Sequence, residues 1–242
     1  MNIQLIAVGS RPWDYLIGHW GIALLVDDHI LFDTFASYRI LQRKLTEMQV
    51  NIDQIQTIVI SHDHWDHIGG LWELLAHRKG LDVYLPLHAD EASKQRVRAL
   101  GSRVIDGDGE KMIKPHIHIS AEIMGGFKDG TIAEQSLVIR SELGLILIVG
   151  CAHPGIADIV EKARQVFQAP VYGVIGGFHL MHARMDQVRS CAASLKQAGV
   201  TLVAPTHCTG WRAEREFKSV FGENFVALRE GQKLSFQSAR SP

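Results

Sequence analysis

The sequence predicts a layered α/β domain, on three observations. Short apolar, β-branched runs recur along the whole chain, amphipathic helical patterns lie between them, and several of the runs are apolar at consecutive positions rather than alternating. Consecutive apolar positions are what a strand covered on both faces shows, so sheets buried between layers are expected.

The strand runs fall at residues 3–8, 22–26, 30–32, 57–60, 83–85, 117–119, 137–139, 145–149, 171–175 and 202–203. Helical periodicity predicts helices over 38–48, 71–77, 89–100 and 185–197. A further helix is predicted where Ile156, Ile159, Val160, Ala163, Val166 and Phe167 recur at spacings of three and four, with Asp158, Glu161, Lys162 and Arg164 between them. The stretch Asp106-Gly107-Asp108-Gly109 and the pair Gly125-Gly126 read as turns. With no short-period repeat, low-complexity tract or Pro/Ser-rich linker, a single domain over residues 1–236 is expected, followed by a frayed tail at 237–242.

Composition narrows the function. The 242 residues carry 25 Lys+Arg against 26 Asp+Glu, a balance that removes the electrostatic case for a nucleic-acid or anionic-membrane partner and leaves a small-molecule substrate. No apolar run approaches the roughly 18 residues of a membrane span. The first residues lack the basic region and long apolar core of a secretory signal, so a cytoplasmic protein is expected. Cys151, Cys191 and Cys208 are too few and too scattered for a disulfide framework, and read as reduced thiols.

Histidine occurs 13 times, and its placement carries the signal. Directly after the run 57–60 stand His62, His64, Asp66 and His67. In an extended segment residues two apart point the same way, so His62 and His64 can converge on one point. Asp66 and His67 come one step later, where the chain turns toward a helix, and can face a second point. Imidazole and carboxylate donors suit divalent metals, and a pair of ions roughly 3.5–4 Å apart is the clamp of many hydrolytic sites. A solvated polar turn is the plainer reading, but four ligand-type residues within six positions outweigh it.

The pattern His-x-His-x-Asp-His at His62, His64, Asp66 and His67 resembles that of the metallo-β-lactamase fold superfamily. The segment Leu31-Phe32-Asp33-Thr34 resembles its Leu-Phe-Asp-Thr-Gly, with Phe35 in place of the glycine. Gly150-Cys151-Ala152-His153, Gly176-Gly177-Phe178-His179-Leu180 and Pro205-Thr206-His207-Cys208-Thr209-Gly210 resemble the branch that contains the archaeal dihydropterin-methyl-ribofuranosylaminobenzene phosphate synthases. The resemblance implies a four-layer αββα sandwich of two mixed β-sheets flanked by helices, with metals at the sheet edges. Independently, His62, His153, His179 and His207 each follow a strand run within a few residues, and ligands of layered α/β structures collect at strand ends.

Most members of the superfamily place a third histidine in the loop before the strand corresponding to 145–149, and a bridging aspartate after it. Here the loop 129–135 has no histidine, and Cys151 follows Gly150. The economical assignment gives His62, His64 and His153 to one divalent ion and Asp66, His67 and His207 to a second, with zinc ahead of manganese, iron or nickel. Cys151 reads as a small buried thiol in preference to a weak or bridging ligand; a hydroxide alone could form the bridge. Asp66 and His179 are the candidate catalytic residues: Asp66 to orient the nucleophile, His179 as acid or phosphate donor, against a plainer role for His179 as a helix cap. His116 and His118 alternate with Ile117 and Ile119 as on a strand with one wetter face, and His19, His29, His77, His88 and His182 read as solvated. The aromatic loop 11–15 either reaches over the site or packs against helices. The expected activity is hydrolysis of a small ester or phosphoester by a hydroxide activated at a binuclear metal centre. The alternatives are a pterin diphosphate transferase, as the branch implies, and a non-enzymatic metal or ligand sensor.

Overall fold

The computed structural model describes residues 1–127 and 130–239, and the chain divides into two compact units. The first comprises Met1–Asp108 with Arg229–Ser235. It contains β1 (Asn2–Gly9), α1 (Pro12–Leu16), β2 (Gly21–Val26), β3 (Ile30–Phe32), α2 (Tyr38–Glu47), β4 (Thr57–Val59), α3 (Trp65–Ile68), α4 (Leu71–His77), β5 (Asp82–Pro86), α5 (Glu91–Ala99) and β6 (Arg103–Gly107). The second contains β7 (Lys111–Lys114), β8 (Ile117–Ile119), β9 (Ile123–Phe127), β10 (Gly130–Glu134), β11 (Leu137–Ser141), β12 (Gly144–Val149), α6 (Ile156–Phe167), β13 (Val171–Gly177), α7 (Met185–Gln197), β14 (Leu202–Thr206) and α8 (Trp211–Phe221). A last strand, β15 (Lys233–Ser235), returns to the first unit and pairs with β1.

Each unit is built on a mixed sheet. In the first the order is β15-β1-β2-β3-β4-β5-β6, antiparallel up to β3 and parallel from β3 to β6. The amphipathic α2, α4 and α5 lay Tyr38, Leu41, Leu45, Leu71, Leu74, Leu75 and Val97 on Ala23, Leu25, Leu31, Ile58 and Val83. Ile22, Leu24 and Val26, on the opposite face, are equally buried, which is why β2 reads as an unbroken apolar run.

The second sheet runs β14-β13-β12-β11-β8-β7, with β12, β13 and β14 parallel, and β9 and β10 form a separate hairpin. Helix α6 contributes Ile156, Ile159, Val160, Ala163 and Phe167 to its core, while Val166, expected on that face, is exposed. The pair Gly125-Gly126 lies inside β9 rather than in a turn. A Cβ on Gly125 would come within 2.5 Å of the backbone around His153 and Pro154, so glycine there permits close approach of two chain segments. Asp106 and Gly107 likewise belong to β6, and the chain bends only at Asp108 and Gly109. Of the stretch expected as a histidine-free loop, residues 130–134 form the strand β10, Gln135 follows it outside the strand, and residue 129 lies outside the described residues. At the other end, Glu142 N donates to Gln237 O, Ala239 N donates to Arg140 O, and Ser238 bridges to Ser141. Residues 240–242 of the expected tail lie outside the described residues.

The departure from Leu-Phe-Asp-Thr-Gly has a structural consequence. Phe35 adopts φ 60°, the left-handed region that glycine enters without strain, yet it is fully buried and its ring meets His19 edge-on at 5.2 Å. Packing therefore offsets the backbone strain. Phe35→Gly is expected to relieve about 1–2 kcal/mol of strain while losing the roughly 3–5 kcal/mol of a buried phenylalanine. The denaturant midpoint should fall by an amount equivalent to roughly 1–4 kcal/mol; an unchanged or raised midpoint would show that strain dominates.

Candidate metal centre

In the first unit the parallel strands align Phe32, Val59 and Tyr84 in one row, so the residues just past β3 and β4 emerge side by side. Asp33 leaves β3 with φ 56° and is fully buried. Its carboxylate accepts from Ser61 N at 2.7 Å, Ser61 Oγ at 2.8 Å and His67 Nδ1 at 2.6 Å. With its proton committed to Asp33, Ser61 Oγ accepts from His62 Nδ1 at 2.8 Å. Both buried imidazoles thereby carry their proton on Nδ1 and present Nε2 as the basic nitrogen. His62 Nε2 stands 3.1 Å from His64 Nδ1, and His67 Nε2 stands 3.6 Å from Asp66 Oδ2. The four motif residues thus meet as two pairs of donors.

The local backbone is built for this. Thr34 N and Oγ1 both donate to His67 O at 2.8 Å. A Cβ on Gly69 would meet Ala36 O at 2.3 Å, and one on Gly70 would meet Thr34 O at 2.2 Å, so the glycine pair lets the motif lie against residues 34–36. Trp65, between His64 and Asp66, is half exposed, and Tyr15 packs edge-on against it at 5.9 Å. The aromatic segment 11–15, expected as a loop, enters helix α1, and through Tyr15 it packs on Trp65 of α3, beside the histidine motif.

In the second unit Val149, Gly176 and Pro205 share a row, and the chain beyond each strand carries one of the later motifs. Ala152, His179 and His207 hold φ of 58°, 53° and 51°. Three successive amides converge on the buried Glu134: Cys151 N and Ala152 N donate to Oε1 at 2.9 and 2.8 Å, and His153 N donates to Oε2 at 2.8 Å. The His153 ring lies tilted against that of His179, 4.3 Å between centroids at 51°, and meets Phe127 edge-on at 5.3 Å. His179 is exposed and follows Phe178, which is anchored on Phe217. It lies six residues before α7 and does not cap it. His207 is fully buried in the turn that Thr209 braces by accepting from Phe178 N and donating to Thr206 O. Burial opposes ionisation of the Cys208 thiol, but a hydrogen bond with Cys151 together with His207 and His179 holds it well below the ordinary thiol range. Burial alone pushes Cys191 up to about 11.

Several remaining histidines are tied to neighbours instead of simply facing solvent. His118 pairs with Glu110 at 3.0 Å, His77 stacks on Tyr38, His29 Nδ1 meets Gln54 O, and His19 lies between Phe35 and Glu230. Sequence reasoning assigned no part to Asp33 or Glu134. Asp33 was signalled by a carboxylate directly after an apolar strand run; nothing local marked Glu134.

The donor chemistry fits divalent metal. In the first unit neutral imidazoles beside a carboxylate suit a zinc-like ion, and a buried carboxylate on the far nitrogen of a ligating histidine is the usual orienting partner. Asp33→Asn would replace an acceptor-only group by one with donors, disturbing the proton placement on His67. Metal affinity in a chelator competition is expected to fall roughly 10–100-fold; unchanged affinity would remove Asp33 from the centre.

Residues 21–207 match the family model of the metallo-beta-lactamase superfamily. A 7,8-dihydropterin-6-methyl-4-(beta-D-ribofuranosyl)-aminobenzene-5'-phosphate synthase of Methanocaldococcus jannaschii is 29 % identical, with 97 % of each chain covered. The solved structure of Tm1679, described as a metal-dependent hydrolase of the beta-lactamase superfamily, is similar with a TM-score of 0.78 at 24 % identity, covering 98 % of this chain and 100 % of that one. The metallo-beta-lactamase fold protein YhfI from Bacillus subtilis follows at 0.69 and 15 %, covering 96 % and 98 %. Among the described residues no helix is long and apolar enough to cross a membrane. With the family match reaching from Gly21 through the histidine motif to His207, the chain carries the metallo-β-lactamase fold and belongs to the metallo-β-lactamase superfamily.

Proposed function

We propose that the protein is a cytoplasmic metal-dependent hydrolase of small ester or phosphoester substrates, residues 1–236 working as one domain. His62, His64 and His153 hold one divalent ion, and Asp66, His67 and His207 hold a second, zinc being the first choice. The observation that supports this most directly is the buried chain from Asp33 through Ser61 to His62 and from Asp33 to His67, which sets the proton on Nδ1 of both rings. When bound, the ions supply Lewis acidity toward a phosphoryl or carbonyl oxygen and acidify water near neutral pH. Asp66 orients the attacking water through its carboxylate. His179, exposed on a turn that Phe178 anchors, donates a proton to the leaving group or a hydrogen bond to a phosphate oxygen. The exposed Trp65 and Tyr15 give the substrate an apolar wall beside the motif.

A second reading is transfer instead of hydrolysis. The 29 % identity to a synthase, sustained over 97 % of both chains, favours a pterin-bearing substrate whose diphosphate departs as a carbon acceptor attacks. Turnover in ¹⁸O-labelled water separates the two: hydrolysis places label in the product, and transfer to a carbon acceptor leaves it unlabelled.

The roles of His153 and His179 separate by metal analysis. His153→Ala is expected to lower both metal content and activity, because an ion losing one of three protein ligands is weakly held. His179→Ala should keep its metal and lose roughly 10²–10⁴ in turnover. If His179→Ala empties a site while His153→Ala does not, the ligand assignment is reversed.

A further inference from the structure

Helix α5 carries a lysine where its core-facing side calls for an apolar residue. Of its nine residues only Lys94 and Val97 are buried, one turn apart on the same face, and the Lys94 side chain is 5 % exposed. A buried ammonium is costly unless it is paired and hydrogen-bonded, and a methionine of similar length would fill the place without that cost. Lys94 Nζ donates to Leu87 O at 2.6 Å and pairs with Asp106 Oδ1 of β6 at 2.5 Å. Leu87 begins the turn that leaves β5, and β5 runs beside β4, where Ile60 N donates to Tyr84 O just ahead of the histidine motif. The far end of that turn is Asp90, which caps α5 by accepting from Ala92 N at its side chain and from Lys94 N at its carbonyl. Asp90 N donates to Asp63 Oδ2 at 2.8 Å, and Asp63 stands between His62 and His64. A connected path thus runs from Asp106 through Lys94 and the turn 87–90 to the middle of the motif, all within the first unit.

We propose that Lys94 is a positioning residue of the metal centre: its ammonium fixes the turn 87–90, and the turn holds Asp63 and with it the spacing of the His62 and His64 rings. This rests on the metal centre proposed above and adds to it a residue that touches no ion. Asp33 and Ser61 orient His62 through its Nδ1, and the Asp90 amide restrains Asp63, the next residue along. Two ligands on one extended segment converge only while that segment keeps its conformation, so a contact at Asp63 bears on both. A neutral side chain at position 94 would take this donor from Leu87 O and release that end of the turn.

Zinc affinity, measured by competition with a chromophoric chelator, tests this in a double-mutant cycle of Lys94→Met and Asp63→Ala, without reference to activity. Each single variant is expected to bind zinc roughly 10-fold more weakly, the lower end of the range for residues that orient metal ligands. The double variant should bind no more weakly than the single ones, because both changes cut the same path. Wild-type zinc affinity in Lys94→Met overturns the proposal, and with a lowered denaturant midpoint in the metal-free protein it leaves the lysine a stabiliser of α5 only. A double variant in which the two losses multiply overturns it as well. Failure of wild type to bind zinc overturns the metal centre itself and the positioning role with it. Should Lys94→Met not fold, Asp106→Asn, which weakens the ion pair that holds the ammonium, takes its place in the cycle and is read in the same way.

Discussion

A carboxylate removed from water must be met by hydrogen bonds, and Asp33 shows what that constraint organises. Leaving such a group without partners would cost several kcal/mol. Here the three donors that satisfy it are Ser61 N, Ser61 Oγ and His67 Nδ1, all from the segment that carries the metal motif. Satisfying the buried charge and orienting the histidines are therefore one event. The strand end, the serine and the two imidazoles cannot be rearranged separately, and the proton positions of His62 and His67 follow from which oxygen each nitrogen faces.

The second unit uses the same device with a different residue. Glu134 takes three consecutive backbone amides of the Cys151–His153 turn, groups that would otherwise be buried without partners because they follow the last paired residue of β12. One carboxylate in each unit thus shapes the loop that bears its histidines. Asp33 does so through side chains, and Glu134 through the main chain.

Left-handed conformations gather at the same strand ends. Asp33, Phe35, Ala152, His179 and His207 all hold φ between 51° and 60° without being glycine. Each such residue stores roughly 1–2 kcal/mol, which persists where packing and hydrogen bonds over-determine the position. At His207 the Thr209 bridge supplies that restraint, and at Phe35 the buried ring does. The turns are sharp because a strand must stop and its next side chain must project at the sheet edge within one or two residues.

By itself the sequence determined the layered α/β class, most strand and helix positions, and the motif at His62, His64, Asp66 and His67. These are written in local periodicity and spacing, where the apolar period tells strand from helix and two-residue spacing sets a common face. The short strands β6, β7, β9 and β10 escaped, because polar residues or glycines interrupt their apolar runs, and their pairing partners rather than their own side chains make them strands. Gly125 shows the difference: it reads as a turn in isolation, and only the approach of the His153 backbone explains a glycine inside a strand. Tertiary structure alone decided the parts of Asp33 and Glu134. Asp33 and Ser61 are 28 residues apart, and Glu134 and Cys151 are 17 apart. A hydrogen bond depends on a few tenths of an ångström between such residues, and no local pattern in the chain records that distance.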